Sequence, residues 1–283
     1  MNLLLEVLPI SIVAGLGTGL GGLIAVFCKP GRRSFGLLMG GAAGVMITLA
    51  FMELVSAAWE QAGYLTATLG FAAGALFMLT VDFLAPHIRF GERETDVFML
   101  DNRDRQGDGL RKTIYAQRLL RRQRKQRRNI IRDRNLYRTG MLIAIGIAIH
   151  NMPEGIAIGA GYMHAPRFGY FIAVAIALHN IPEGIATALP LYKSGVYRWD
   201  AFRAALFSGL TEPIGALLAV TLLATFRDLV PAALAFAGGV MVFITLDELV
   251  PAAREHGHQH FTAIGIILGA IFVFLLSGIF GPV

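Results

Sequence analysis

Eight long apolar segments dominate the sequence and restrict the folds that are open to it. A transmembrane α-helix needs about 20 consecutive apolar residues, and in lipid only helices and closed barrels pair all of their backbone polar groups. Hydrophobic residues make up 55% of the 283 positions. We therefore expect an all-α polytopic membrane protein with eight transmembrane helices near residues 5–27, 35–58, 64–87, 139–161, 168–189, 200–224, 229–253 and 261–279.

Basic residues are distributed unevenly among the connections between these segments. If the amino terminus lies outside, 23 of the 25 lysines and arginines fall in inner connections, and only Arg167 and Arg227 face outward. This asymmetry predicts an even number of crossings, both termini outside, and a plasma (cell inner) membrane location with a basic cytoplasmic loop over 89–138. The first segment lacks a preceding basic stretch and is too long for a signal-peptide core, so we expect it to be retained.

The 89–138 loop holds most of the excess positive charge, and its densest part is 118–128. Such a run could indicate nucleic-acid binding. Between membrane segments, however, topology and attraction to anionic lipid explain it better. We expect the bilayer rather than nucleic acid as its partner, and we expect the loop to be partly disordered because its first part is polar and poor in large apolar residues.

One short motif occurs twice in the middle of this apolar chain. His150-Asn-Met-Pro-Glu154-Gly is followed twenty-nine residues later by His179-Asn-Ile-Pro-Glu183-Gly. Residues four apart project from nearly the same face of a helix, so each copy offers an imidazole and a carboxylate together. Imidazole and carboxylate are ligands that suit zinc and neighbouring divalent metals. The two copies therefore predict one shared metal site.

The residues between these ligands support the same interpretation. Asn151 and Asn180 add side-chain oxygens, while Pro153 and Pro182 each remove a helix hydrogen bond and free a carbonyl group. We expect kinked helices at these prolines, because transporters build ion sites from interrupted helices near the membrane midplane. The alternative is a polar lock between helices, but the paired carboxylates would repel each other without a cation between them.

A second, longer repeat lies in the flanking segments. Residues 15–26 align with 209–220 at an offset of 194, and residues 44–58 align with 239–253 at an offset of 195. Five crossings separate the equivalent segments, so the copies run in opposite directions, as in the inverted repeats of secondary transporters. This divides the chain into segments 1–3 (1–88), the basic loop (89–138), segments 4–5 (139–190) and segments 6–8 (191–283).

Further polar residues are candidates for the metal site or for a pathway to it. Glu212 precedes Pro213 in the sixth segment and could complete the site. Met46 offers a soft ligand, although a methionine in an apolar helix more often serves packing. The candidate pathway residues are acids near the ends of segments 2, 3 and 7 and histidines in the last inner connection, here called the 256–260 histidine tract: Glu53, Asp82, Asp247, Glu248, His256, His258 and His260.

The doubled His-Asn-x-Pro-Glu-Gly motif resembles the ZIP (Zrt/Irt-like) family of divalent metal transporters, and the resemblance extends over all eight segments. It implies a 3+2+3 helix arrangement and a site formed by His150, Asn151, Glu154, His179, Asn180, Glu183 and Glu212, with Met46 beside it. It also implies that two adjacent metal ions could share these carboxylates. The long inner loop departs from the family because it is rich in arginine and lacks histidine, and some members have Gln-Asp where this chain has His179-Asn180.

We therefore expect inward transport of zinc, with iron, manganese and cadmium as other candidate ions, and no enzymatic activity. The chain could also pair as a homodimer. An intramembrane metal-dependent hydrolase is the alternative, since two histidines, several glutamates and a buried water would suffice for it. A catalytic zinc, however, usually keeps an open water position beside about three protein ligands, whereas these ligands are duplicated. A metal-sensing scaffold that acts through the basic loop is a third possibility.

Overall fold

The computed structural model of the chain describes residues 3–84 and 133–280. Every regular element in these two ranges is helical. The α-helices are α1 (Leu3–Cys28), α2 (Arg32–Thr48), α3 (Ser56–Leu84), α4 (Arg134–His164), α5 (Pro166–Lys193), α6 (Arg198–Gly209), α7 (Glu212–Thr225), α8 (Val230–Ile244), α9 (Val250–His256) and α10 (Gln259–Phe280). Two π-helices join them: π1 (Leu49–Val55) between α2 and α3, and π2 (Thr245–Leu249) between α8 and α9. A short 3₁₀ turn, Arg227–Leu229, precedes α8.

Seven helical stretches in the described ranges are long and apolar enough to cross a bilayer: Leu3–Cys28, Arg32–Leu84, Leu136–His164, Pro166–Lys193, Arg198–Thr225, Arg227–Glu255 and Gln259–Phe280. The chain is an integral membrane protein with an all-helical fold. The second stretch has 53 residues and would be about 80 Å long as one straight helix. That length is more than twice the hydrocarbon thickness of about 30 Å. Gly63 interrupts it with a φ of 78° and a ψ of 171°, between the predicted segments 35–58 and 64–87.

The helix that contains the predicted fourth segment begins before that segment. The sequence predicts that the fourth segment starts at residue 139, but α4 starts at Arg134. Asp133 caps this helix, since its Oδ1 accepts a 3.0 Å hydrogen bond from the backbone N–H of Leu136, as N-cap carboxylates commonly do. The predicted end of the third segment, His87, and residues 89–132 of the basic loop lie outside the described residues.

The helices form two groups. The first contains α1 and α4–α7, with α1 packed along α5 and α4 packed between α5 and α7. The second contains α2, α3 and α8–α10, with α3 packed along α8 and α2 along α10. Contacts of α4 with α8 and of α2 with α5 join the groups. All four residues of the two His–Glu pairs belong to the first group.

Glycines bring helices of the first group into backbone contact. A methyl group placed on Gly15 would lie 2.4 Å from the carbonyl oxygen of Gly209, and one placed on Gly209 would lie 2.2 Å from the carbonyl oxygen of Gly15. Such close approach is typical of small residues at membrane helix interfaces. These two glycines are equivalent positions of the offset-194 alignment, so α1 and α6 meet at matching points.

The second group contains a related pair of contacts. A methyl group on Gly44 would lie 2.1 Å from the carbonyl oxygen of Ile266, and one on Gly239 would lie 2.0 Å from that of Phe71. Positions 44 and 71 precede positions 239 and 266 by the same offset as in the second alignment. Gly44 and Phe71 of the first aligned part therefore correspond to Gly239 and Ile266 of the second. Exchanging the two parts converts the α2–α10 contact into the α8–α3 contact.

Neither proline of the doubled motif interrupts its helix, because α4 continues through Pro153 and α5 through Pro182. The interruption in the first helical group lies instead within the predicted segment 200–224, between the end of α6 at Gly209 and the start of α7 at Glu212. Pro213 cannot donate the backbone hydrogen bond that would continue the helix. The hydroxyl of Thr211 stabilises the break by donating to the carbonyl oxygens of Ala148 (2.7 Å) and Ser208 (2.8 Å).

Candidate metal site

The two His–Glu pairs meet in the interior of the first helical group. Nε2 of His150 lies 3.2 Å from Oε1 of Glu154 on the same helix and 3.1 Å from Oε1 of Glu183 on α5. Nε2 of His179 lies 2.8 Å from Oε1 of Glu154. All four residues are at most 2% exposed. The duplicated motif thus forms one buried group.

This group has the composition and the dimensions of a metal site. His150, Glu154 and Glu183 each offer a ligand atom, and these three atoms lie within 4.8 Å of one another. A cation between them could reach all three at the usual distances of about 2.0–2.2 Å after small side-chain movements. Oε2 of Glu154 and Oε2 of Glu183 are buried and have no hydrogen-bond partner among the described residues. Buried carboxylate oxygens are costly unless something pairs with them, and a divalent cation would satisfy both.

The asparagines of the motif are held by matching hydrogen bonds to the neighbouring helices. Nδ2 of Asn151 donates to the carbonyl oxygen of Ser208 (3.0 Å), and Nδ2 of Asn180 donates to that of Ala14 (3.1 Å). Because a carbonyl oxygen only accepts, these bonds fix which way each amide faces. Oδ1 of both side chains is buried without a partner among the described residues, so each remains available as an acceptor or ligand.

Glu212 is linked to the group through one of these amides. Nδ2 of Asn180 also donates to Oε2 of Glu212 at 2.8 Å, while Oε1 of Glu212 is buried and has no partner among the described residues. Glu212 is fully buried and is the first residue of α7, where the helix dipole favours a carboxylate. A methyl group placed on Gly155 would lie 2.0 Å from the carbonyl oxygen of Glu212. Because Gly155 has no side chain, α4 packs directly against the start of α7.

A cavity adjoins the group on one side. It is lined by Met39, Ile147, His150, Glu183, Ala186, Glu248, Leu249 and Ala252. Glu248 lies in π2, is 6% exposed, and interacts electrostatically with His150, Glu183, Asp247 and Asp82. Glu248, one of the predicted pathway acids, therefore shares the cavity with two residues of the buried group.

The remaining candidates lie elsewhere. Glu53 is half-buried in π1 and is hydrogen-bonded to the side chain of Ser277. His258 and His260 are exposed, with ring centroids 5.7 Å apart, and the side chain of His256 lies outside what the structure describes. Neither Glu53 nor the two described histidines line the cavity beside the buried group.

Met46 does not line this cavity. Its sulfur accepts a 3.7 Å hydrogen bond from Thr245, within the contact between α2 and π2. The methionine that lines the cavity is Met39, which the sequence reasoning missed. Met39 lies seven residues before Met46 on α2, on nearly the same helix face. This spacing is the sequence feature that makes Met39 a candidate wherever Met46 is one.

Comparison with known proteins agrees with this geometry. The family model described as ZIP Zinc transporter matches residues 5–277. A protein named zinc transporter ZupT from Clostridium perfringens is 34% identical over 282 residues, covering 96% of this chain and 94% of that protein. Zinc transporter ZTP29 from Arabidopsis thaliana is 35% identical over 259 residues, covering 90% and 87%. A ZupT from Oceanobacillus iheyensis is 37% identical over 273 residues, covering 95% of each chain. The chain belongs to the ZIP zinc transporter family.

Proposed function

We propose that this protein transports divalent transition-metal ions, zinc foremost, across the membrane into the cytoplasm through the buried His–Glu group. The observation that carries the proposal is the meeting of His150, Glu154, His179 and Glu183 in one buried interior, with nitrogen–oxygen distances of 2.8–3.2 Å. An ionisable group at the bilayer centre costs roughly 2.5 kcal/mol or more unless it is paired or functional. Zinc transport is also what the matching relatives are named for.

The donor set explains how the site would hold an ion and discriminate among ions. Carboxylate oxygens and imidazole nitrogens replace the hydration shell, and the negative charges of Glu154, Glu183 and Glu212 neutralise a dication. Neutral imidazoles favour transition metals over magnesium and calcium, which prefer oxygen ligands. The hydrolase alternative is not supported, because the family is one of transporters and two helices supply the ligands in duplicate.

We further propose the route that the ion takes on the cytoplasmic side. The cavity lined by His150, Glu183 and Glu248 adjoins the buried group toward the helix ends that carry Lys193 and the 256–260 histidine tract. The positive-inside asymmetry assigns those ends to the cytoplasm. Asp82, whose charge acts on Glu248, would then be a second carboxylate on the exit route. Iron, manganese and cadmium remain further candidate ions.

The eight-crossing inverted repeat is part of the same proposal. The positive φ of Gly63 supports two crossings within Arg32–Leu84. The exchanged glycine contacts and the two π-helices support the repeat, since π1 and π2 carry Glu53 and Glu248 at matching positions of the second alignment. Single π-turns are rare and occur frequently at functional sites. Both termini outside, a cytoplasmic basic loop and the plasma (cell inner) membrane complete the proposed topology.

The number of bound ions and the oligomeric state belong to the proposal as well. A second, adjacent ion, which the family resemblance implies, would need Glu212 as a shared ligand, and Asn180 already occupies one of its oxygens. We propose that one ion binds in the conformation described here and that a second would have to displace this bond. A homodimer would pair through exposed apolar helix faces such as that of α10. Only 22% of the residues in the 18-residue apolar stretch of this helix are buried.

Flux into liposomes tests the proposal. Purified protein is reconstituted with an entrapped zinc indicator, and zinc is added outside. We expect His179→Ala and Glu183→Ala each to abolish zinc flux because each removes a buried ligand. His164→Ala is the matched control, since it removes an imidazole at the end of α4 that packs edge-on against Phe168 rather than joining the buried group. Normal flux by folded His179→Ala and Glu183→Ala at low zinc would refute the shared-site model.

A further inference from the structure

A cluster of cations and aromatic rings lies at one end of the first helical group, far along α1 and α5 from the buried metal site. We call it the α1–α6 cluster and define it by Phe27, Lys29, Tyr192, Arg198 and Trp199. It joins the last turn of α1, the end of α5 and the first turn of α6. It takes no part in the metal transport proposed above.

The rings hold the two cations in place. The guanidinium carbon of Arg198 lies 5.5 Å from the ring centroid of Phe27, and the ammonium nitrogen of Lys29 lies 5.2 Å from that of Tyr192. Trp199 packs edge-on against Phe27 with centroids 6.0 Å apart. Phe27 and Trp199 are 55% and 41% exposed, so the cluster presents apolar rings and positive charges on the same surface.

The two cations have no anionic partner in the part of the chain that the structure describes. The exposed ion pair found there, Arg203 with Asp200 at 3.2 Å, involves neither of them. Arg198 is the first residue of α6, where the helix dipole disfavours a positive charge. Lys29 precedes Pro30 and has a φ of 48°, a left-handed conformation that is costly for a lysine. An external anion would stabilise the positive charge of Arg198 at this helix start.

The location and chemistry indicate what that anion is. The cluster lies where membrane-crossing helices end, the level at which tryptophan and tyrosine sit among lipid headgroups. Exposed rings suit acyl chains and glycerol, while ammonium and guanidinium groups suit a phosphodiester. A free phosphate would use the cations but not the rings. We propose that the α1–α6 cluster binds the headgroup of an anionic phospholipid.

Tryptophan fluorescence tests this directly, because the chain contains only two tryptophans. Trp59→Phe leaves Trp199 as the sole tryptophan, within the cluster, and Trp199→Phe leaves Trp59 as an internal control. Each variant is reconstituted in phosphatidylcholine vesicles that contain a minor fraction of brominated phosphatidylglycerol or of brominated phosphatidylcholine. Bromine quenches a tryptophan only when the lipid that carries it is adjacent.

We expect brominated phosphatidylglycerol to associate with Trp199 about thirtyfold more strongly than brominated phosphatidylcholine, the factor expected for two basic residues near an anionic surface. Lys29→Gln with Arg198→Gln should abolish this preference, and higher salt should weaken it. Arg203→Gln is the matched control, since it removes a nearby cation that Asp200 already neutralises. Trp59 should show no preference.

Three outcomes would overturn the proposal. Equal quenching of Trp199 by both brominated lipids would show that the cluster is an ordinary aromatic anchor. Loss of the preference in Arg203→Gln to the same extent as in the double variant would show general surface attraction. Removal of the preference by millimolar inorganic phosphate at constant ionic strength would identify a free anion rather than a lipid as the ligand.

Discussion

Asn180→Asp is the substitution that most sharply separates the roles of the residues around the buried group. The change keeps the size of the side chain but replaces the N–H donor with an oxygen. In the native protein that donor lies 3.1 Å from the carbonyl oxygen of Ala14 and 2.8 Å from Oε2 of Glu212. The substituted side chain would place an acceptor against two acceptors, one of which is a buried carboxylate.

These distances set the expected loss of stability. Two carboxylate charges about 4 Å apart repel by about 4 kcal/mol at the effective dielectric constant of about 20 that suits protein sites. Losing a hydrogen bond to a charged group adds about 1.5–3 kcal/mol. Without metal, the variant should therefore be destabilised by roughly 6 kcal/mol, or by less if one carboxylate takes up a proton. A cation between the introduced carboxylate and Glu212 would attract both and so outweigh their repulsion. Zinc should therefore restore most of the lost stability.

Asn151→Asp provides the matched control. Asn151 is the equivalent residue of the first motif copy, but its Nδ2 donates only to the backbone carbonyl of Ser208. We expect a loss of about 1–3 kcal/mol from the acceptor left unpaired, with a smaller zinc response. Thermal unfolding in detergent with and without zinc measures both stabilities, and elemental mass spectrometry measures the zinc bound per chain. Equal destabilisation and equal zinc rescue of the two variants would refute the argument that Asn180 controls Glu212.

Two further predictions concern the route to the site. Replacing all histidines of the 256–260 tract with alanine should reduce zinc flux by less than about tenfold, because exposed histidines without fixed geometry bind metal weakly; complete loss of liposome flux would make the tract an obligatory ligand set. In a Cys28→Ser background, Glu53→Cys should react with an impermeant thiol reagent from outside intact cells and Glu248→Cys only in inside-out vesicles, and labelling of both from one side would contradict the inverted repeat.

The buried group can be predicted from the sequence because its geometry is mostly local. Spacing of four places His150 with Glu154 and His179 with Glu183 on one helix face whatever the tertiary structure. Duplication then implies that the two faces meet. The all-helical fold and the presence of membrane-crossing helices can be predicted for a similar reason, since length and hydropathy decide what can cross a bilayer.

Features that depend on contacts between distant helices are harder to predict. The bond from Asn180 to Glu212 and the approach of Glu248 to His150 join residues far apart in sequence, and no local pattern shows them. The motif prolines predict kinked helices, and α4 and α5 continue through both prolines. The sequence also does not indicate which turn of α2 borders the cavity, and for that reason it does not distinguish Met39 from Met46.

The proposed repeat gives residues at the cavity beside the metal group counterparts elsewhere in the protein. The second alignment pairs Glu248 with Glu53, while the doubled motif pairs His150 with His179. Glu248 and His150 line the cavity, whereas Glu53 and His179 do not. The two aligned parts are thus similar in sequence, but the described cavity borders only the side of Glu248. If the two aligned parts exchanged conformations, a cavity would open toward Glu53 and the cavity at Glu248 would close. This is the alternating exposure that inverted repeats permit.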